Sequence, residues 1–136
     1  MENPTPISSF KTFLRSLILV TVIVAIAVVF FQKLVPSTQV GNYAWFLVAY
    51  FFIVTATFHY GLLKTTTGKP QIFVRYFMAA TTFKLLIHLL VIVIYCMLFK
   101  STAMPFVLSF FTLYILFSVF EVRQAMAIAR ISAPKK

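Results

Sequence analysis

The chain has 136 residues, of which 62% are hydrophobic and only 10% are charged, and its mean hydropathy is +1.00. A soluble globular domain is closer to half apolar and a quarter charged, so this composition excludes that class and predicts an integral membrane protein. The formal net charge is +10, but the cations stand at the ends of apolar runs, which indicates membrane topology and anionic lipid headgroups rather than nucleic acid.

Four apolar runs follow one another along the chain, and each is about as long as a helix that crosses roughly 30 Å of hydrocarbon. They predict helices rather than barrel strands, because they are too long for strands and lack polar alternation. The predicted spans are residues 13–34, 43–63, 72–99 and 105–122, followed by a basic tail at 123–136 that can extend the last helix. Short connections favour antiparallel neighbours, so we predict one all-α membrane domain, a bundle of four helices.

The lysines and arginines outside the runs predict the orientation. One side carries Lys11, Arg15, Lys64, Lys69, Arg75, Arg123, Arg130, Lys135 and Lys136; the other side carries Lys33 and Lys100. By the positive-inside rule, both termini and the connection between the second and third spans are predicted to be cytoplasmic. Arg75, Arg123 and Arg130 are expected to face lipid headgroups.

The remaining cation, Lys84, lies inside the third span, within one turn of its centre near residue 86. A lysine at the bilayer midplane costs about 2.5–3.5 kcal/mol on insertion scales, so we expect it to have a partner or to be neutral. Helical spacing places Thr81, Lys84, His88 and Tyr95 on one face, which should turn toward the interior. The opposite face is apolar and suits lipid: Leu86, Leu90, Ile94 and Leu98.

One carboxylate, Glu121, lies within the apolar runs. It is about 11 Å toward the cytoplasmic side of the middle of its span by helical rise. His59, which shares a face with Thr55 in the second span, has a similar depth. The predicted polar cluster therefore contains Lys84, His88, Thr81, Glu121 and His59. Lys84 could reach down to Glu121, or it could meet a carboxylate of another protein, and the sequence leaves both open.

Three roles fit this cluster. It could be a structural pairing that sets helix register, a transport or proton-relay site within a homo-oligomer, or a docking site for the carboxylate of another membrane protein. The sequence contains no Gly-rich phosphate loop, metal-ligand spacing or nucleophile–base arrangement, so we predict a protein with no enzymatic activity, metal or cofactor.

Residues 72–120 contain a pattern that resembles a known family. The segment FMAATTFKLLIHLLVIVIYCML, a short connection and then MPFVLSFFTLYILF are similar to the second half of ATP synthase protein I, a small membrane protein encoded with bacterial F-type ATP synthases. The shared features are an aromatic residue, a small residue, a buried lysine and a proline that opens the last helix: Phe77, Ala80, Lys84 and Pro105. Thr81 stands where the family often has Glu, so the resemblance does not carry over a divalent-cation site.

The resemblance implies a four-span protein of the bacterial inner (plasma) membrane that helps to assemble or stabilise the rotor ring of the F-type ATP synthase. Each ring subunit is a helical hairpin with a membrane carboxylate. Our hypothesis is that Lys84, supported by Thr81 and His88 and with Glu121 and His59 secondary, meets that carboxylate. The alternative is a small oligomeric transporter of a proton, a divalent cation or a metabolite that uses the same cluster.

Overall fold

The computed structural model describes residues 6–34, 43–65 and 69–132, with side chains over residues 10–34, 43–65 and 69–130. These residues form four α-helices and one short 3-10 turn, and the all-α prediction is confirmed for them. The helices are α1 (Pro6–Leu34), α2 (Tyr43–Thr65), α3 (Pro70–Leu98) and α4 (Ala103–Ser132), and the turn covers Lys100–Thr102. Each helix is long and apolar enough to cross a membrane, as the four predicted spans require.

Prolines mark the starts of three helices. Pro6 and Pro70 are the first residues of α1 and α3, and Pro105 lies in the first turn of α4. A proline there loses no helical hydrogen bond, because the first N–H groups of a helix have no intrahelical partner. α1 thus begins seven residues before the predicted span, and α4 continues through the predicted basic tail to Ser132. The predicted connection at 35–42, part of the one at 64–71 (residues 66–68), and Lys135 and Lys136 lie outside the described residues.

A tight reversal joins α3 to α4. The backbone N–H of Phe99 donates to the carbonyl of Tyr95 at 2.8 Å, and that of Thr102 donates to Phe99 at 3.3 Å. The Tyr95 hydroxyl and Thr102 Oγ1 are 3.1 Å apart, and the Tyr95 ring stacks on Phe106 at a centroid distance of 3.6 Å. These contacts fix where α4 starts relative to the end of α3.

The buried apolar core is built by α1, α2 and α4. Helix α2 contacts each of the other three helices, and its Leu47, Phe51 and Leu62 are fully buried. Phe51 meets Phe117 of α4 in a stacked pair with centroids 5.6 Å apart. The outer surface is covered by large apolar side chains, such as Phe83 of α3 at 65% exposed. Such a surface suits hydrocarbon and would be an unusually large apolar patch in water.

Helix α3 contributes little to that core, since its buried residues are Lys84 and His88. The face predicted to suit lipid is exposed: Leu86, Leu90, Ile94 and Leu98 are 48–70% exposed. The two buried side chains of α3 are therefore polar, and both belong to the face that helical spacing predicted to turn inward; Thr81 and Tyr95 of that face are half-buried.

Candidate functional site

A buried ion pair joins α3 to α4. Lys84 Nζ donates to Oε2 of Glu121, and each residue is only 8% exposed. Glu121 is the one acidic residue among those that the structure describes. Breaking a buried pair by removing one partner typically costs about 3–5 kcal/mol, because the other charge is left uncompensated. The pair explains how an otherwise apolar helix tolerates a lysine.

An aromatic ring from α2 covers the ammonium group. Lys84 Nζ lies 5.6 Å from the centroid of Phe58, within the distance at which a cation is attracted to the face of a ring. Phe58 in turn meets Phe77 of α3 edge-on at 6.0 Å. Three helices thus enclose the charge: α3 carries it, α4 supplies the carboxylate and α2 supplies the ring.

One turn further along α3, His88 occupies an aromatic box. Its Nδ1 lies 3.2 Å from the Tyr50 hydroxyl, with which it shares a hydrogen bond. Phe51, Phe110 and Tyr114 meet its ring edge-to-face at centroid distances of 5.3–5.4 Å. These rings come from α2 and α4, so the His88 side chain packs α3 against both of these helices.

Among the residues that the structure describes, three deeply buried polar atoms have no hydrogen-bond partner: Thr55 Oγ1, His88 Nε2 and Glu121 Oε1. Thr55 lies one turn from both Phe51 and Phe58, whose rings contact His88 and Lys84. Its hydroxyl therefore belongs to the same layer of the protein. Buried polar groups are normally satisfied, so this layer has unused hydrogen-bonding capacity.

The other predicted members of the cluster make different contacts. His59 is buried, but its ring stacks on Phe13 of α1, with centroids 3.4 Å apart and planes inclined by 5°. The Thr81 hydroxyl donates to the carbonyl of Phe77 at 2.7 Å, a bond that threonine commonly makes within a helix. Hence His59 joins α2 to α1, and the Thr81 hydroxyl is used within α3 rather than on Lys84.

The three arginines expected to face headgroups, Arg75, Arg123 and Arg130, are all exposed. The aromatic rings that surround Lys84 and His88 were not predicted: Tyr50, Phe51, Phe58 and Phe110. A tyrosine or phenylalanine in a run rich in aromatic residues carries no distinguishing signal, and only the neighbouring helix shows which ring contacts a polar group.

The arrangement can hold a charge pair and exchange hydrogen bonds. The described residues contain no group of three or more His, Cys, Asp or Glu side chains that could hold a metal ion. No family model, curated protein or solved structure matches the chain.

Proposed function

We propose that this chain is a four-span protein of the bacterial inner membrane that assists assembly of the rotor ring of the F-type ATP synthase. The observation that carries the proposal is the buried lysine of α3, paired with an acid of the neighbouring helix. The resemblance of residues 72–120 to ATP synthase protein I supports the choice of partner. Lys84 would be the contact for the membrane carboxylate of a ring subunit.

The proposed topology is an antiparallel bundle with both termini in the cytoplasm. Lys84 pairs with Glu121, and Tyr95 stacks on Phe106, so residue numbers fall along α4 as they rise along α3. The start of α3 and the end of α4 then lie on one side of the membrane, together with Arg75, Arg123 and Arg130. The positive-inside rule makes that side cytoplasmic.

Helix α3 is the element best suited to exchange partners. Of its most hydrophobic stretch only 11% is buried, compared with 44% for α2. In lipid, helices gain no hydrophobic free energy by meeting, so polar contacts and close packing hold them together. The attachment of α3 therefore depends strongly on the Lys84–Glu121 pair. A partner that brings a carboxylate to the same depth can compensate Lys84 in place of Glu121, provided that Glu121 is then protonated or hydrated, since a buried carboxylate without its cation is costly.

The test is a pull-down from native membranes in mild detergent with a C-terminal tag. Wild-type protein is expected to recover ATP synthase membrane subunits, and Lys84→Met is expected to lose them. Arg130→Gln is the matched control, since it removes an exposed cation from the end of α4 and should leave recovery unchanged.

A charge-swap variant separates docking from stability. Lys84→Glu combined with Glu121→Lys keeps an internal ion pair, but it gives α3 an acid that repels a partner's carboxylate. We expect this variant to fold and to lose the ring subunits. Full recovery of those subunits by the swap variant would refute the proposed contact.

The transporter remains a second candidate because of the unpartnered buried atoms of Thr55, His88 and Glu121. Intramembrane ionisable groups often mark ion or proton pathways. Reconstitution in liposomes that contain a pH-sensitive dye tests this candidate. Proton flux that disappears in Glu121→Gln but not in Arg130→Gln would favour transport, whereas flux equal to that of protein-free liposomes would exclude proton transport.

A further inference from the structure

An apolar groove with a volume of about 920 Å³ runs between α1 and α4, with Ala44 of α2 also lining it. It is separate from the polar site, since its lining includes none of Lys84, His88 and Glu121.

The walls of the groove present hydrocarbon along most of its length. Leu19, Ile23 and Ala27 line one side, and Leu113 and Leu116 line the other. The hydroxyl groups in the walls add little polarity. Ser16 donates to the carbonyl of Thr12 at 3.3 Å, and Thr112 donates to that of Leu108 at 2.9 Å. The body of the groove is thus suited to an aliphatic chain.

One end of the groove is cationic. Arg123 and Gln124 of α4 line it there together with Ser16 of α1. The rings of Phe13 and Phe120, 5.6 Å apart, hold the two helices together at this end. Arg123 is exposed, and Glu121, the acid nearest to it in sequence, is already bonded to Lys84. The Arg123 guanidinium is therefore available for an anion at the mouth of the groove.

We propose that this groove binds an anionic phospholipid, with one acyl chain lying between α1 and α4 and the phosphate on Arg123. A guanidinium group suits phosphate because its planar fork can donate two parallel hydrogen bonds. The apolar walls and the single cationic end of the groove match an amphipathic ligand with its charge at one end. Exposed cations elsewhere on the same side of the protein strengthen the preference for an anionic headgroup.

Charge argues against a second copy of the chain as the occupant. The formal net charge is +10. A second copy with the same orientation in the membrane would bring its own basic end toward Arg123, where like charges repel. An anionic lipid instead brings a negative charge to Arg123 and hydrocarbon to the apolar walls of the groove.

The test measures lipid retention by the purified full-length chain in mild detergent. Phosphatidylglycerol and phosphatidylcholine with identical acyl chains are titrated separately, and bound lipid is counted by native mass spectrometry. We expect phosphatidylglycerol to bind preferentially and Arg123→Gln to weaken it about fivefold, as loss of one headgroup-facing cation predicts. Arg130 does not line the groove, so Arg130→Gln is the matched control for general attraction to headgroups and should weaken binding much less than Arg123→Gln does.

Two further variants and ligands make the result specific. Ala27→Phe fills the groove and leaves the charge in place, so it should reduce retention of both lipids. Inorganic phosphate should neither bind measurably nor compete with phosphatidylglycerol. Arg123 and Ala27 are both exposed, so neither substitution should destabilise the fold. Thermal unfolding of each variant without added lipid verifies this.

Several outcomes would overturn the proposal. Equal retention of the two lipids would remove the role of the headgroup, and equal losses in Arg123→Gln and Arg130→Gln would indicate general electrostatic attraction. Competition by free phosphate would point to an anion site without a lipid. Cysteines placed in the groove could also be tested for disulfide cross-linking between two copies. Efficient cross-linking that prevents lipid binding would assign the groove to a second copy.

Discussion

The Lys84–Glu121 pair makes a quantitative prediction about stability. Lys84→Met removes the cation, keeps a long apolar side chain on α3 and leaves a buried carboxylate that is 8% exposed. Removal of one partner from a buried pair costs about 3–5 kcal/mol. The substitution also removes the contact between the ammonium and the Phe58 ring, whose centroid is 5.6 Å away, and such a contact contributes about 0.5–2 kcal/mol. We expect a total near the upper end of the range for buried pairs.

The double variant is the decisive comparison. Lys84→Met with Glu121→Leu removes both charges together, and replacement of a buried ion pair by apolar groups is often neutral or stabilising by about 1–4 kcal/mol. The double variant should therefore be much more stable than either single variant. If each single substitution costs about 3–5 kcal/mol and the double substitution costs nothing, the difference from additivity is about 6–10 kcal/mol. That is larger than the coupling of about 0.5–3 kcal/mol usual for residues in contact.

Unfolding in mixed detergent micelles gives these free energies. The fluorescence of Trp45, the single tryptophan, and circular dichroism follow the transition in all four proteins. Arg130→Gln serves as a control for loss of a cation that the structure leaves exposed. If the effects of the two single substitutions simply add in the double variant, the two side chains are not coupled and the reasoning from the ion pair is refuted.

Two further substitutions probe the packing of α3. In Gly61→Ala, the added Cβ would overlap the Tyr76 hydroxyl, so an overpacking cost of about 1–3 kcal/mol should exceed the helix-propensity gain of about 0.5–1 kcal/mol. Unfolding experiments should show lower stability for Gly61→Ala and recovery when Tyr76→Leu is added. A Gly61→Ala protein with wild-type stability would contradict the close contact. His88→Phe loses the hydrogen bond to Tyr50, which contributes about 0.5–1.5 kcal/mol, but it also removes an unpartnered buried nitrogen. His88→Ala instead leaves a cavity, and truncation of a buried aromatic side chain typically costs about 3–5 kcal/mol. His88→Phe should therefore lower the free energy of unfolding far less than His88→Ala does. Equal losses in the two His88 variants would show that the imidazole nitrogens, rather than the ring volume, hold α3 in place.

Much of this protein follows from the sequence alone. Apolar runs of bilayer length, three of them with a proline at or near the start of the helix, specify four helices and their approximate bounds. Helical spacing identifies the inner face of α3, because residues three or four apart lie on the same side of a helix. Lys84 and His88 are indeed its buried residues, and the depth of Glu121 made it a candidate partner for the lysine.

Contacts between helices were decided only by the tertiary structure. Lys84 meets Glu121, whereas His59, at a similar depth, stacks on Phe13. The pairing of Tyr50 with His88 and the groove beside Arg123 were not foreseen. The physical reason is that spacing along one helix determines angles within that helix alone. Its rotation and axial position relative to its neighbours depend on how all the facing side chains pack together, and no single run of residues contains that information.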